Sequence, residues 1–236
     1  MSDPVFRADQ AARLREPHVA PFADLVDELR AAHPGREVPY VAPTSRGTRA
    51  RVLVLHRSPA PSPTPAPALS PAAARPAEVS EQQDEQHEEQ HEEQHDELVA
   101  PAVPERMLSV EGDDGASERL HGLLTDAGID PSLVLPWHAV PWTVDPSSPL
   151  SGVDAKAGRL VLARVVSLLP QLRVVVLHGR EVEPVWDALA TAGAAVPRGI
   201  RVERTFSTED SAVQQHRASR LRRLAAVYSS AADALS

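Results

Sequence analysis

Four short apolar runs rich in β-branched residues recur along the chain, at 48–56 ("TRARVLVLH"), 132–140 ("SLVLPWHAV"), 172–179 ("LRVVVLHG") and 200–206 ("IRVERTF"). Between and around them, apolar residues fall at helical spacing instead. A helix over 21–33 carries Phe22, Leu25, Val26 and Leu29 on one face and ends at Pro34-Gly35. One over 116–129 carries Leu120, Leu123, Leu124 and Ala127 and is closed by Gly128. A third, over 154–169, stops at Pro170; a fourth, over 180–193, turns Val182, Val185, Trp186 and Leu189 inward. The last, over 211–235, aligns Leu221, Leu224, Tyr228 and Leu235. Strands that alternate with helices and are apolar throughout belong in a parallel sheet covered on both faces. The expected fold is therefore a three-layer α/β/α domain with a small, mostly parallel, four-stranded sheet. Ligands of such sheets sit beyond the carboxyl ends of the strands. That directs attention to 55–60, 137–142, 178–181 and 205–210. No Walker loop or GxGxxG motif follows any strand, so neither kind of nucleotide site is expected.

One segment breaks the alternation. Residues 61–80 are too rich in proline for helix or sheet, and 81–98 repeat Glu, Gln and His in steps of four. The chain is thus read as 1–60, holding N-terminal helices and the first strand, an insertion at 61–104, and 105–236, the rest of the α/β domain. The insertion also explains the net charge of -9. Of 33 acids and 24 bases in all, ten acids and one base lie within 61–104, leaving 23 of each elsewhere. The body is near neutral, so the acidic total does not exclude a polyanionic partner. Nearly every cation is arginine, with lysine only at Lys156.

His87, His91 and His95 fall four apart, and a helix would stack them where imidazoles can chelate zinc or nickel. The simpler reading is a solvated low-complexity tract with no apolar face to bury, so no dedicated metal site is expected. The chain has no cysteine, which removes disulfides, iron–sulfur clusters and thiolate zinc sites. No 18-residue apolar run and no basic start followed by an apolar stretch are present. A cytoplasmic monomer without cofactor or membrane partner is expected.

Taken in order, "LVDELRAAHPGREVPYVAP", "ARVLVLHRSPA", "SVEGDDGASERLHGLLTDAGI", "LVLPWHAVPW", "LLPQLRVVVLHGREVEPVW" and "RTFSTEDS" resemble the uracil-DNA glycosylase superfamily, in its actinobacterial uracil-DNA glycosylase-like branch. The resemblance covers about residues 20–60 and 105–236 and leaves out the insertion. It implies a small parallel sheet between helices and an activity that flips uracil from DNA and cleaves the bond to deoxyribose. In that superfamily a carboxylate or amide after the first strand positions water. An asparagine after the second strand reads the base. A histidine in a His-Pro-Ser loop after the last strand stabilises the leaving base.

This chain departs from the pattern at each point. Where the branch has Glu-Ser-Pro-Gly it reads Arg57-Ser58-Pro59-Ala60, and a fixed cation cannot act as a base. Glu111-Gly112 stands where Asp-Asn precedes an aspartate pair, here Asp113-Asp114. Trp137-His138-Ala139-Val140-Pro141-Trp142 has histidine in place of asparagine, and Phe206-Ser207-Thr208 replaces the His-Pro-Ser loop. A neutral imidazole has one donor and one acceptor on opposite sides of its ring, so it cannot copy the paired contact of an amide.

The base pocket implied by the resemblance holds His56, Arg57, Ser58, Pro59, Glu111, Gly112, Trp137, His138, Phe206 and Ser207. His138 either contacts a base or packs between Trp137 and Trp142. Losing one charge-stabilising donor costs about two to three orders of magnitude in rate, and here the water-positioning group and the base reader are lost with it. The main expectation is a DNA- or base-binding scaffold with impaired or absent glycosylase activity. Its DNA surface would draw on Arg57, Arg201, Arg204, Arg217, Arg220, Arg222 and Arg223, the last four being equally readable as a solvated helix face. A second reading is an active glycosylase with rearranged residues. His138 or His56 would then act as general acid, with Glu111, Asp113 or Asp114 positioning water, unless the two aspartates merely cap a helix. A third is an interaction protein acting through 61–104.

Overall fold

The computed structural model describes residues 4–60, 106–112, 114–192, 196–208 and 217–236. The chain divides into two compact units, Met1–Pro61 with Val103–Ser236, and Ser62–Ala102. The second unit, with His87, His91 and His95, lies outside the described residues.

The first unit contains the expected alternation. Strands β2 (Val52–His56), β4 (Val134–His138), β5 (Val174–His178) and β6 (Arg201–Thr205) form one sheet in the order β4-β2-β5-β6. Every pairing in it is parallel. The helices are α1 (Pro4–Ala12), α2 (Ala20–Ala32), α3 (Gly115–Asp126), α4 (Gly152–Ser167), α5 (Glu183–Thr191) and α6 (Arg217–Asp233). A second, two-stranded parallel pair joins β1 (Tyr40–Val41) to β3 (Met107–Leu108). Its strands are too short to leave a periodic trace in the sequence. Among the described residues no helix is long and apolar enough to cross a membrane.

Strand residues alternate between two faces, and each face feeds its own core. Leu53, Leu55, Leu135, Trp137, Val175 and Leu177 pack with α2, α4 and α5. Val52, Val54, Val134, Val174 and Val176 pack with α3 and α6. The sheet is thus the middle of three layers. Local signals set the helix ends. Asp114 caps α3, accepting from the backbone N–H of Ala116 and Ser117. At its other end Gly128 takes φ +71°, and Ile129 N–H returns to the Leu124 carbonyl. That 6→1 bond satisfies an orphan carbonyl and lets buried Ile129 seal the end.

The connections decide where a ligand can sit. The chain leaves β2 towards α3 on one face, but leaves β4 and β5 towards α4 and α5 on the other. Loops that diverge to opposite faces open a crevice between their strands. Strand β2 is flanked by such a crevice on each side, against β4 and against β5.

Candidate functional site

Each crevice holds a cavity. The first, of about 370 Å³, opens over β2 and β4 and reaches the start of α3. Its lining includes His56, Ser58, Pro59, Arg106, Asp114 and His138. The second, of about 310 Å³, lies towards β5 and includes Arg57, His178, Gly179, Glu181 and Ser207. Ser58, Pro59 and Ala60 line both.

Three histidines span this edge. His56 and His138 are register partners across β2 and β4. His178 is one residue beyond Leu177, which pairs with Leu55 on the other side of β2. The His56 ring lies 6.2 Å from that of His138 and 4.8 Å from that of His178, centroid to centroid. Valines fill the two preceding positions of β2 and β5 on this face, so the apolar surface turns polar at the last register position. His178 is 1% exposed, and its Nε2 lies 2.8 Å from Tyr228 Oη on α6. His56 and His138 are half-buried in the cavity wall, with no hydrogen-bond partner among the described residues.

Burial governs their charge. It pushes His56 down to about 4, against a partial lift from Asp114. His138 is held well below its ordinary value by burial, by His56 and by Arg106. His178 is lowered by burial and by His56, while the Phe206 backbone acts the other way. At neutral pH all three are uncharged imidazoles, each with one donor and one acceptor. Asp114 stays ionised. Burial alone would raise it, but the Ser117 and Ala116 N–H groups, the Ser117 hydroxyl and Arg106 together lower it. Its oxygens are committed to the cap: Oδ1 accepts from both N–H groups at 2.9 Å and Oδ2 from Ser117 Oγ at 2.9 Å.

The residues named for a base pocket fall in different places. His56, Ser58, Pro59, Asp114 and His138 come together in the first cavity, and Arg57 and Ser207 line the second. Trp137 does not join them. It follows the alternation to the opposite face, 1% exposed, with its ring 6.5 Å from Phe22. His138 is therefore not stacked between two tryptophans. Trp142 is anchored elsewhere, donating to Asp154 under the Arg36 guanidinium. Glu111 lines a small separate recess with Thr44 and Asp130. Gly112 sits against Ser117, where a Cβ would come within 2.4 Å of Oγ. Phe206 lies beneath the guanidinium groups of Arg220 and Arg223, at 5.0 and 4.8 Å. Asp113 lies outside the described residues.

Several arginines expected to meet DNA are already held. Arg57 Nε stands 2.7 Å from Glu181 Oε2, off the line of a good hydrogen bond, and its Nη2 reaches the Asp145 and Ser148 carbonyls. Arg201 bonds Glu203 and Ser230; Arg204 pairs with Asp187 and Glu183. Arg217, Arg222 and Arg223 are exposed on α6, without an ion pair among the described residues. Two residues of the region escaped the sequence reading. Arg106, just after the insertion, lines the first cavity and binds the Ala60 carbonyl at 2.6 Å. His178 was noticed only as a strand end, although it shares its position in β5 with His56 in β2. Among the described residues no three His, Asp or Glu side chains converge to hold a metal ion.

Compared with known proteins, the chain matches no family model and no curated relative.

Proposed function

We propose that the protein is a uracil-DNA glycosylase-like scaffold that binds a nucleobase in the cavity over β2 and β4 and does not hydrolyse the glycosidic bond. One observation carries this reading: the uncharged imidazoles of His56 and His138 line a cavity at a strand-edge crevice, with no ring hydrogen bond among the described residues. Both rings are half-buried rather than sealed, so their donors and acceptors stay open to an incoming ligand. A planar heterocycle with donors and acceptors would pair with them. The cavity lies within the size range of small-ligand sites.

The same geometry argues against glycosylase chemistry of the family's kind. The residue after β2 that would orient water is Arg57, bound to Glu181. Asp114 spends its oxygens on the α3 cap. The side chain of the loop residue Phe206 carries no hydrogen-bonding group and does not line the cavity. Contact with the DNA backbone falls to α6, through Arg217, Arg220, Arg222 and Arg223, rather than to Arg201 and Arg204.

The test is single-turnover base release from uracil-containing single- and double-stranded DNA, with His138→Ala and Asp113→Ala beside the wild type. Binding is followed in parallel against salt. The expected result is no release above background, with DNA affinity that falls as salt rises. Release that either substitution abolishes would replace this reading with an active glycosylase of rearranged residues. Absence of both release and binding would remove DNA as the partner.

A further inference from the structure

Of the chain's ten histidines, three end neighbouring strands at one register level on one face of the sheet. They are unequal in their surroundings. His138 and His56 face the first cavity. His178 is 1% exposed at the wall of the second cavity, and among the described residues its Nε2 makes the row's one side-chain to side-chain hydrogen bond, to Tyr228. Its Nδ1 is shut off from solvent without a well-formed bond of its own. Tyr228 is itself fully buried on α6, and among the described residues its hydroxyl bonds to His178.

We infer that Tyr228 and His178 are positioning residues for this cavity: through their hydrogen bond they fix the tautomer and tilt of the His178 ring, which walls His56 and sets the hydrogen-bonding edge that His56 offers a ligand. The inference rests on reading the first cavity as a ligand site, and deepens it by naming what holds that site in shape.

The physical chain is short. A buried neutral imidazole can carry its proton on either nitrogen, and the tautomer is set by the bond made at the other. The Phe206 backbone favours a proton on the His178 ring. With that proton on Nδ1, Nε2 is a bare acceptor and takes the Tyr228 hydroxyl proton. His178 then presents a fixed ring 4.8 Å from His56, tilted 37°. The groups facing His56 are His138 from β4, His178 from β5 and Asp114 at the start of α3. None of them hydrogen-bonds to it, and the packed ring of His178 is its nearest aromatic restraint among the described residues. Removing the Tyr228 hydroxyl leaves His178 buried with neither nitrogen well bonded. The Phe206 backbone then holds the Nδ1–H form alone, so the Nε2–H tautomer gains population and the ring is freed to rotate against His56.

The test uses the full chain with ¹⁵N-labelled histidine, comparing wild type with Tyr228→Phe from pH 3 to 8 by long-range proton–nitrogen spectra. A fluorescein-labelled, uracil-containing single-stranded oligonucleotide is titrated into both at pH 7. The wild type is expected to show one His178 tautomer and a His56 midpoint near 4. In Tyr228→Phe, mixed His178 tautomers, a displaced His56 midpoint and at least a fivefold rise in oligonucleotide Kd are expected. The His138 ring signals at pH 7 should stay in place, which a general loosening of the fold would not permit. A second variant, His178→Gln, reads the same His56 signal should the first not fold. Unchanged His178 tautomer and His56 midpoint in the folded variants would overturn the inference. Shifted spectra with unaltered oligonucleotide affinity would also overturn it, while leaving base binding intact. If the wild type binds no oligonucleotide, base binding fails, and the spectra alone decide whether Tyr228 positions His56.

Discussion

At the scale of single residues, the buried imidazoles tie stability to pH. The His56 midpoint is about 4 in the fold against 6.5 ordinarily, so the unfolded chain takes the proton first as pH falls. Stabilisation is complete above about 6.5 and is lost on descent towards 4, by at most about 3 kcal/mol for this residue. His138 and His178 are shifted the same way and add to the loss. Asp114, Asp130 and Asp154 are held below 3.8, so their contribution fails only at lower pH. Urea unfolding at pH 7.5, 6.0 and 5.0 should show a midpoint that drops across this window, and His56→Gln should drop less. A flat midpoint would refute the account. Asp114 makes a different point. As a cap it should cost about 1 kcal/mol when changed to alanine, and clearly less as Asp114→Asn, which keeps an acceptor. Equal losses in a urea titration would mean that the carboxylate charge matters more than the cap.

At the scale of elements, backbone approach separates two glycines that look alike in sequence. A Cβ at Gly158 on α4 would lie 2.0 Å from the Ala139 carbonyl, which is backbone and cannot turn away. Gly158→Ala should therefore cost about 2–3 kcal/mol by forcing α4 off the loop after β4. A Cβ at Gly122 on α3 meets nothing within 4 Å. Gly122→Ala should stabilise by about 0.5–1 kcal/mol, since the unfolded chain loses freedom and the helix gains propensity. Thermal melts of the two variants check both signs at once. The helices and strands themselves were legible, because β2, β4 and β5 are unbroken apolar runs and α3 and α5 keep helical spacing. The β1–β3 pair was not, since two-residue strands have no period. The site was half legible. Strand ends marked His56 and His138, and an aspartate before a helix marked Asp114. The error at Trp137 came from reading neighbours as a stack, although residues adjacent in a strand point to opposite faces. Register was the missing information: nothing in a linear chain says that Leu55 stands beside Leu177, so His56 and His178 could not be joined. The Arg57–Glu181 pair was hidden for the same reason, its partners lying far apart in sequence.

At the scale of the whole molecule, the long insertion interrupts the fold without interrupting its core. Both hydrophobic clusters are built from residues on either side of it. Its flanks also meet: the Arg106 guanidinium binds the Ala60 carbonyl at 2.6 Å, so a short link can rejoin the chain there. Closing a loop costs entropy that grows with the logarithm of its length. Replacing residues 62–102 by about six glycines and serines should thus stabilise the first unit by about 1–2 kcal/mol, read as a higher urea midpoint. The deletion also removes ten acids and one base, which takes the net charge from -9 to zero. Anion-exchange retention at pH 7 should fall away accordingly. If the surface of α6 meets DNA on its own, oligonucleotide affinity and its salt slope should match those of the full chain. An unfolded or less stable deletion variant would show that the segment contributes to the fold. A folded variant that no longer binds would move the protein's function into the acidic tract.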